Sequence, residues 1–171
     1  MNSYTLALLA GLSMLACQSK PKQESTSAVV AVDDSAASLS KRPGPDAPRS
    51  AADRLVRALY FEHSKKENPL RETRDRAVVD QFFAPALANH IWARQGKRAA
   101  GINPLLGVSD TDVSKIWVEP AAVGGTRAVV YVTFQKAGKP QEIKVELVRI
   151  DQSRWRIAEL TYPDGRRLSE S

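Results

Sequence analysis

The stretch from Thr126 to Tyr162, TRAVVYVTFQKAGKPQEIKVELVRIDQSRWRIAELTY, constrains this chain more than any other part. It reads as three consecutive strands joined by two turns. Ala128, Val130, Val132 and Phe134 alternate with Val129, Tyr131, Thr133 and Gln135, and β-branched and aromatic residues suit a pleated, half-buried surface. Ile143, Val145 and Leu147 alternate in the same way with Glu142, Lys144 and Glu146. In the third run, strict alternation puts Trp155, Ile157 and Glu159 on one face and Arg156, Ala158, Leu160 and Tyr162 on the other. Ala137-Gly138-Lys139-Pro140 and Asp151-Gln152-Ser153 are short enough to force antiparallel neighbours.

Upstream of this meander the pattern changes to helical spacing. Ser50 precedes Ala51-Ala52-Asp53 as an N-cap, and Asp53 suits the positive helix end. Ala52, Leu55, Val56, Leu59, Tyr60 and His63 then form one stripe, which predicts a helix from about Ala51 to Lys65. Val78, Val79, Phe82 and Phe83 make a second stripe. Pro85 opens a third helix carrying Leu87, Ala88, Ile91 and Trp92. The segment GINPLLGVSDTD, Gly101 to Asp112, is predicted to be an ordered connection that plugs the open end of the sheet. Val113 to Glu119 follows as a short first strand, and Pro120 with Gly124-Gly125 turns the chain into the meander. Helices first and sheet second is an α+β order: N-terminal helices packed on a curved four-stranded antiparallel sheet.

The 171 residues allow one domain plus appendages, read as three regions: 1–16, 17–50 and 51–171. Mean hydropathy is below zero, which excludes a multi-span membrane protein. The net charge is +6, and from Ala51 onward there are 20 Lys and Arg against 15 Asp and Glu. This balance suits anionic partners, but the basic residues are scattered without interleaved aromatics, so no nucleic-acid partner is expected. Cys17 is the only cysteine, which excludes an internal disulfide and a thiolate metal site. With only His63 and His90 besides, no zinc site, metal or cofactor is expected.

Residues 1–16, MNSYTLALLAGLSMLA, are apolar after Thr5, too short to span a bilayer, and end in small residues as a secretory signal does. The tetrapeptide Met14-Leu15-Ala16-Cys17 resembles the lipobox of bacterial lipoproteins. That resemblance implies cleavage before Cys17, a thioether to diacylglycerol and an acylated, for instance palmitoylated, amino terminus. Several chains anchor stably, at about 0.8 kcal/mol per buried methylene. Gln18 rather than Asp after the cysteine implies, by resemblance to Gram-negative lipoproteins, the outer membrane and its periplasmic face. Gln18 to Ser50 is rich in Ser, Ala, Pro, Lys and Asp and reads as a disordered tether, with Pro43, Pro45 and Pro48 stiffening its end.

A closer likeness rests on Phe82-Phe83-Ala84-Pro85-Ala86-Leu87, on Pro104-Leu105-Leu106 with Asp110, and on Trp155-Arg156-Ile157 with Tyr162, Gly165 and Leu168. These residues resemble the bacterial family catalogued as domain of unknown function 3828, whose members are mostly secreted proteins or lipoproteins. The likeness covers about Ala52 to Leu168 and implies a cone-shaped, nuclear-transport-factor-2-like (cystatin-like) domain. Asn103 departs from the usual acidic residue before Pro-Leu-Leu, and Ala158-Glu159 departs from a common acidic pair.

Cones of this kind can perform proton transfer with carboxylate, histidine or tyrosine groups in the mouth. Tyr60, His63, Glu159 and Tyr162 are the possible pocket residues, with Asp80 a further candidate. No Ser-His-Asp, Cys-His, P-loop or Gly-rich dinucleotide signature is present, and no catalytic residue is assigned. The leading expectation is a non-catalytic binding or accessory module for another envelope protein or the cell wall. An exposed aromatic patch, for instance Trp92, Trp117 and Tyr131, would mark it. The alternatives are a small-pocket enzyme and an immunity protein against a periplasmic toxin.

Overall fold

The computed structural model describes residues 33–62, 70, 75–95 and 101–171. The signal, Cys17, the first part of the tether and His63 lie outside the described residues.

The architecture is α+β, with a few helices and an open antiparallel sheet of five strands. The strands are β1 (Val113–Val118), β2 (Ala122–Gly124), β3 (Arg127–Lys136), β4 (Lys139–Arg149) and β5 (Trp155–Thr161). The sheet runs β1-β3-β4-β5, and β2 also pairs with β3. The expected four strands become five because the edge beside β3 is broken. Val118 pairs with Val132 and Ala122 with Val129, and Pro120, which has no amide to donate, lies between the two pieces. The β3–β4 hairpin turns on Ala137 and Gly138, both at positive φ, and returns Lys139 opposite Lys136.

In β5 the alternation read from sequence is broken. Glu146 pairs with Glu159 but Leu147 with Ile157, so Ala158 is an extra residue on the β5 side. The slip brings Leu160 and Tyr162 into the core alongside Trp155 and Ile157, where unbroken alternation would have put them on opposite faces.

Among the described residues four α-helices accompany the sheet: α1 (Asp33–Ser40), α2 (Ala51–Arg57), α3 (Arg76–Phe82) and α4 (Pro85–Ala93). Ser50 caps α2 in a reciprocal box: its Oγ accepts from Ala52 N at 3.2 Å and Asp53 N at 3.4 Å, while Asp53 Oδ1 accepts from Ser50 N at 2.7 Å. Beyond Arg57 the chain winds on as a π-helical turn, Ala58–Glu62. Asp75 caps α3, and Pro85 sits at the first turn of α4.

These helices supply Val56, Leu59, Val79, Phe82, Leu87 and Ile91 to one core with the inward residues of the sheet, among them Val130, Phe134, Val145 and Ile157. The free side of β5 is covered as well. Ala84 N donates to Ile157 O at 2.8 Å, and Tyr162 N to Arg166 O at 2.9 Å, so neither half of that edge is left open.

The segment read as a disordered tether to Ser50 differs from that reading from Asp33 on. Residues 33–40 are helical, and α1 packs against β2 and β3. Residues 41–49 continue as a strap over the sheet face that the other helices leave uncovered. Composition favoured disorder because the strap has little apolar content; it is held by charge and aromatic contacts instead.

Candidate functional site

Two places in the fold gather polar side chains on defined partners: the plugged end of the inner face, and the strapped outer face.

At the plugged end, residues 103–108 form a tight loop organised by Asn103. Its main-chain N donates to Val108 O at 2.8 Å, its Oδ1 accepts from Leu105 N at 2.8 Å and its Nδ2 donates to Asp110 Oδ1 at 2.6 Å. An ionised carboxylate accepts but cannot donate, so the amide fits this position beside Asp110. Leu105 and Leu106 are turned into the core. Two tyrosines clamp the loop from beneath: Tyr60 Oη donates to Leu105 O at 2.7 Å, and Tyr162 Oη to Pro104 O at 2.6 Å. The Tyr162 ring lies so close to Gly107 that a Cβ there would sit 2.5 Å from its Cδ1, and Gly107 has a φ of +69°. Burial, with a smaller contribution from neighbouring Tyr162, pushes the Tyr60 phenol well above its ordinary range.

Glu159 is engaged with a different segment. Its carboxylate is buried and accepts from Leu160 N at 3.0 Å, Ser169 N at 3.1 Å and the Ser169 hydroxyl, and Arg167 Nη2 lies 3.2 Å away. It therefore fastens the C-terminal turn, Leu168–Glu170, to β5. Asp80 is exposed and pairs with Arg76 one helical turn back at 2.9 Å. Of the four residues singled out as a possible pocket, the structure brings Tyr60 and Tyr162 together under the loop and commits Glu159 to the tail. Among the described residues, Tyr60 borders a depression of about 250 Å³ with Asn103, Leu106 and Ile116.

The outer face carries what sequence reasoning missed. The Arg42 guanidinium forks onto Glu119, with Nε 2.5 Å from Oε2 and Nη2 2.6 Å from Oε1, and Nη2 also donates to Glu142 Oε2 at 2.7 Å. Its carbon lies 4.2 Å from the centre of the Tyr131 ring. Glu119, then burial acting in the opposite sense, then Glu142 set its protonation; the net shift is upward, so the group stays a cation at any accessible pH. Arg49 makes the second hold, donating to Val118 O at 2.8 Å and lying 3.7 Å from Asp53 Oδ2 and 5.2 Å from the centre of the exposed Trp117 ring. Of the aromatic patch proposed from sequence, Trp117 and Tyr131 lie beneath the strap. Trp92 belongs to the helix layer, partly buried against the core with Arg76 over it at 5.9 Å. The signal for this site was Arg42 next to Pro43 in an otherwise polar run, which composition alone assigns to a linker.

Among the described residues no cluster of three or more His, Cys, Asp and Glu side chains could hold a metal ion, and no helix is long and apolar enough to cross a membrane. Comparison with family models, with curated proteins and with solved structures finds no match for this chain.

Proposed function

We propose that this chain is a lipoprotein of the Gram-negative envelope, anchored through Cys17 at the periplasmic face of the outer membrane. There it serves as a non-catalytic binding or accessory module for another envelope protein. The lipobox-like Met14-Leu15-Ala16-Cys17 and Gln18 support the location. The likeness to the family of domain of unknown function 3828, and to the nuclear-transport-factor-2-like cone, is part of the same proposal.

The observation that carries the binding role is the contrast in how polar groups are used. Tyr60, Tyr162 and Glu159, the groups best suited to proton chemistry, are each spent on holding a loop or the tail. The outer face instead presents Glu119, Tyr131 and Glu142 on three neighbouring stretches of the sheet, and among the described residues Arg42 of the strap seats on all three. Groups held on strands and covered by a loosely packed segment are suited to recognition.

The test is the mass and fractionation of the native protein. The mature chain should begin at Cys17 carrying acyl chains and should sediment with outer membranes, and Cys17→Ser should release a folded domain. An unprocessed start without fatty chains, or unchanged membrane retention of Cys17→Ser, would overturn the reading.

A further inference from the structure

The outer face of the sheet is built to receive a guanidinium group. Glu119 donates its amide to Tyr131 O at 2.9 Å, which fixes the two side by side, and Glu142 on β4 lies opposite Thr133, one step along the same face. Glu119, just past the end of β1, and Glu142 on β4 flank β3 on the same face, and two carboxylates so placed repel each other unless a cation lies between them. A planar fork that can reach both while its face covers a tyrosine ring is a description of arginine; a lysine ammonium could supply the charge but not the paired geometry.

The present occupant, Arg42, comes from a segment with few other holds. Among the described residues, the one backbone hydrogen bond of residues 41–49 is internal, from Ala47 N to Gly44 O at 3.0 Å, so no strand pairing ties the strap down. A gap of about 390 Å³ remains beside Pro43 and Pro45, over Trp117 and Pro120. A groove of about 480 Å³ separates Leu39 of α1 from Val129, Tyr131 and Lys144. Removing the strap would leave the Glu119–Glu142 pair without its cation on a sheet whose inner packing is untouched.

We infer that this face is a docking site for an arginine-bearing extended segment of a partner protein, which takes the place of Arg42 and lifts the strap. Charge complementarity selects the partner: the site is locally acidic and aromatic, as the seating of Arg42 on Glu119, Glu142 and Tyr131 shows. An extended, proline-containing segment fits because that is the form of the occupant already seated there, and such segments dock on aromatic surfaces at low ordering cost. The inference deepens the binding-module reading and rests on it for the existence of a partner. The site itself is testable without the lipid anchor, whose presence is read separately by mass.

A synthetic peptide with the sequence of Lys41 to Arg49 serves as the probe, titrated by calorimetry into the full chain. The wild-type chain, with the site filled in cis, should bind it about threefold to fivefold more weakly than Arg42→Ala, because an occupied site lowers apparent affinity by the fraction that is open. Binding to Arg42→Ala should vanish when the peptide's own first arginine is replaced by alanine, or when Glu119→Gln and Glu142→Gln are added to the protein. If Arg42→Ala does not fold, Arg42→Lys carries the same comparison, since it weakens the fork while keeping the charge. Equal affinity for wild type and variant, or binding indifferent to the two glutamates, would overturn the inference. So would a wild-type chain that dimerises with rising concentration by exchanging straps, which would assign the site to a second copy.

Discussion

The two faces of the sheet are closed in opposite ways. The inner face is sealed by apolar side chains from α2, α3 and α4, and the two tyrosine hydroxyls that enter it are satisfied by main-chain partners, Tyr60 by Leu105 O and Tyr162 by Pro104 O. The outer face is crossed by a strap that depends on a few long charged side chains, with open volume beneath it. Apolar burial scales with area and cannot be exchanged piecemeal, whereas a half-exposed ion pair contributes little and can be replaced by another of like geometry. The difference separates a face that holds the domain together from a face that can change its occupant.

Substitutions should keep that division. Phe82→Ala, which removes a fully buried ring between α3 and the sheet, should cost about 3 to 5 kcal/mol of stability by thermal or denaturant unfolding. A smaller loss than that of any outer-face variant would break the comparison. Gly107→Ala drives a methyl into the Tyr162 ring and should cost about 1 to 3 kcal/mol. An unchanged melting temperature would mean that the loop is not clamped.

Tyr60→Phe should cost about 1 to 2 kcal/mol by stranding the Leu105 carbonyl. Its pH dependence sharpens the point. A phenol whose pKa is raised on folding keeps its proton in the native state after the unfolded chain has lost it. Its contribution is complete below the ordinary value of about 10 and falls as the pH rises from there toward the native pKa. The wild type should therefore lose stability above about pH 10 more steeply than Tyr60→Phe; parallel alkaline curves would contradict the buried placement. Arg42→Ala stands last in effect on the fold, at about 1 kcal/mol or less, although it should transform access to the outer face.

Much of the inner face was legible in the sequence, because apolar spacing records burial. The stripe of α2, the proline start of α4 and the alternation of β3 and β4 all follow from it. Legibility failed where one residue changes the register. Ala158 carries no mark of a bulge, yet it moves Leu160 and Tyr162 across the sheet. Pro120 announced a turn, but not that the chain would resume the same edge as Ala122–Gly124. The turn residues at both ends of Gly101 to Asp112 mark an ordered connection, while its two tyrosine clamps come from residues 45 and 58 positions away in the chain. The outer site was hidden for the same reason: Arg42 meets Glu119 and Glu142 across 77 and 100 residues, and nothing local in a proline-rich polar run records such partners.

Hydrogen exchange on the full chain tests the difference between the faces most directly. The amides of α1 should exchange through local opening, at a free energy well below that of global unfolding, and Arg42→Ala should speed them further, while β3 and β4 exchange only when the whole domain unfolds. Equal protection of α1 and of the central strands, unmoved by Arg42→Ala, would show the strap to be a fixed part of the core and would contradict an exchangeable outer face.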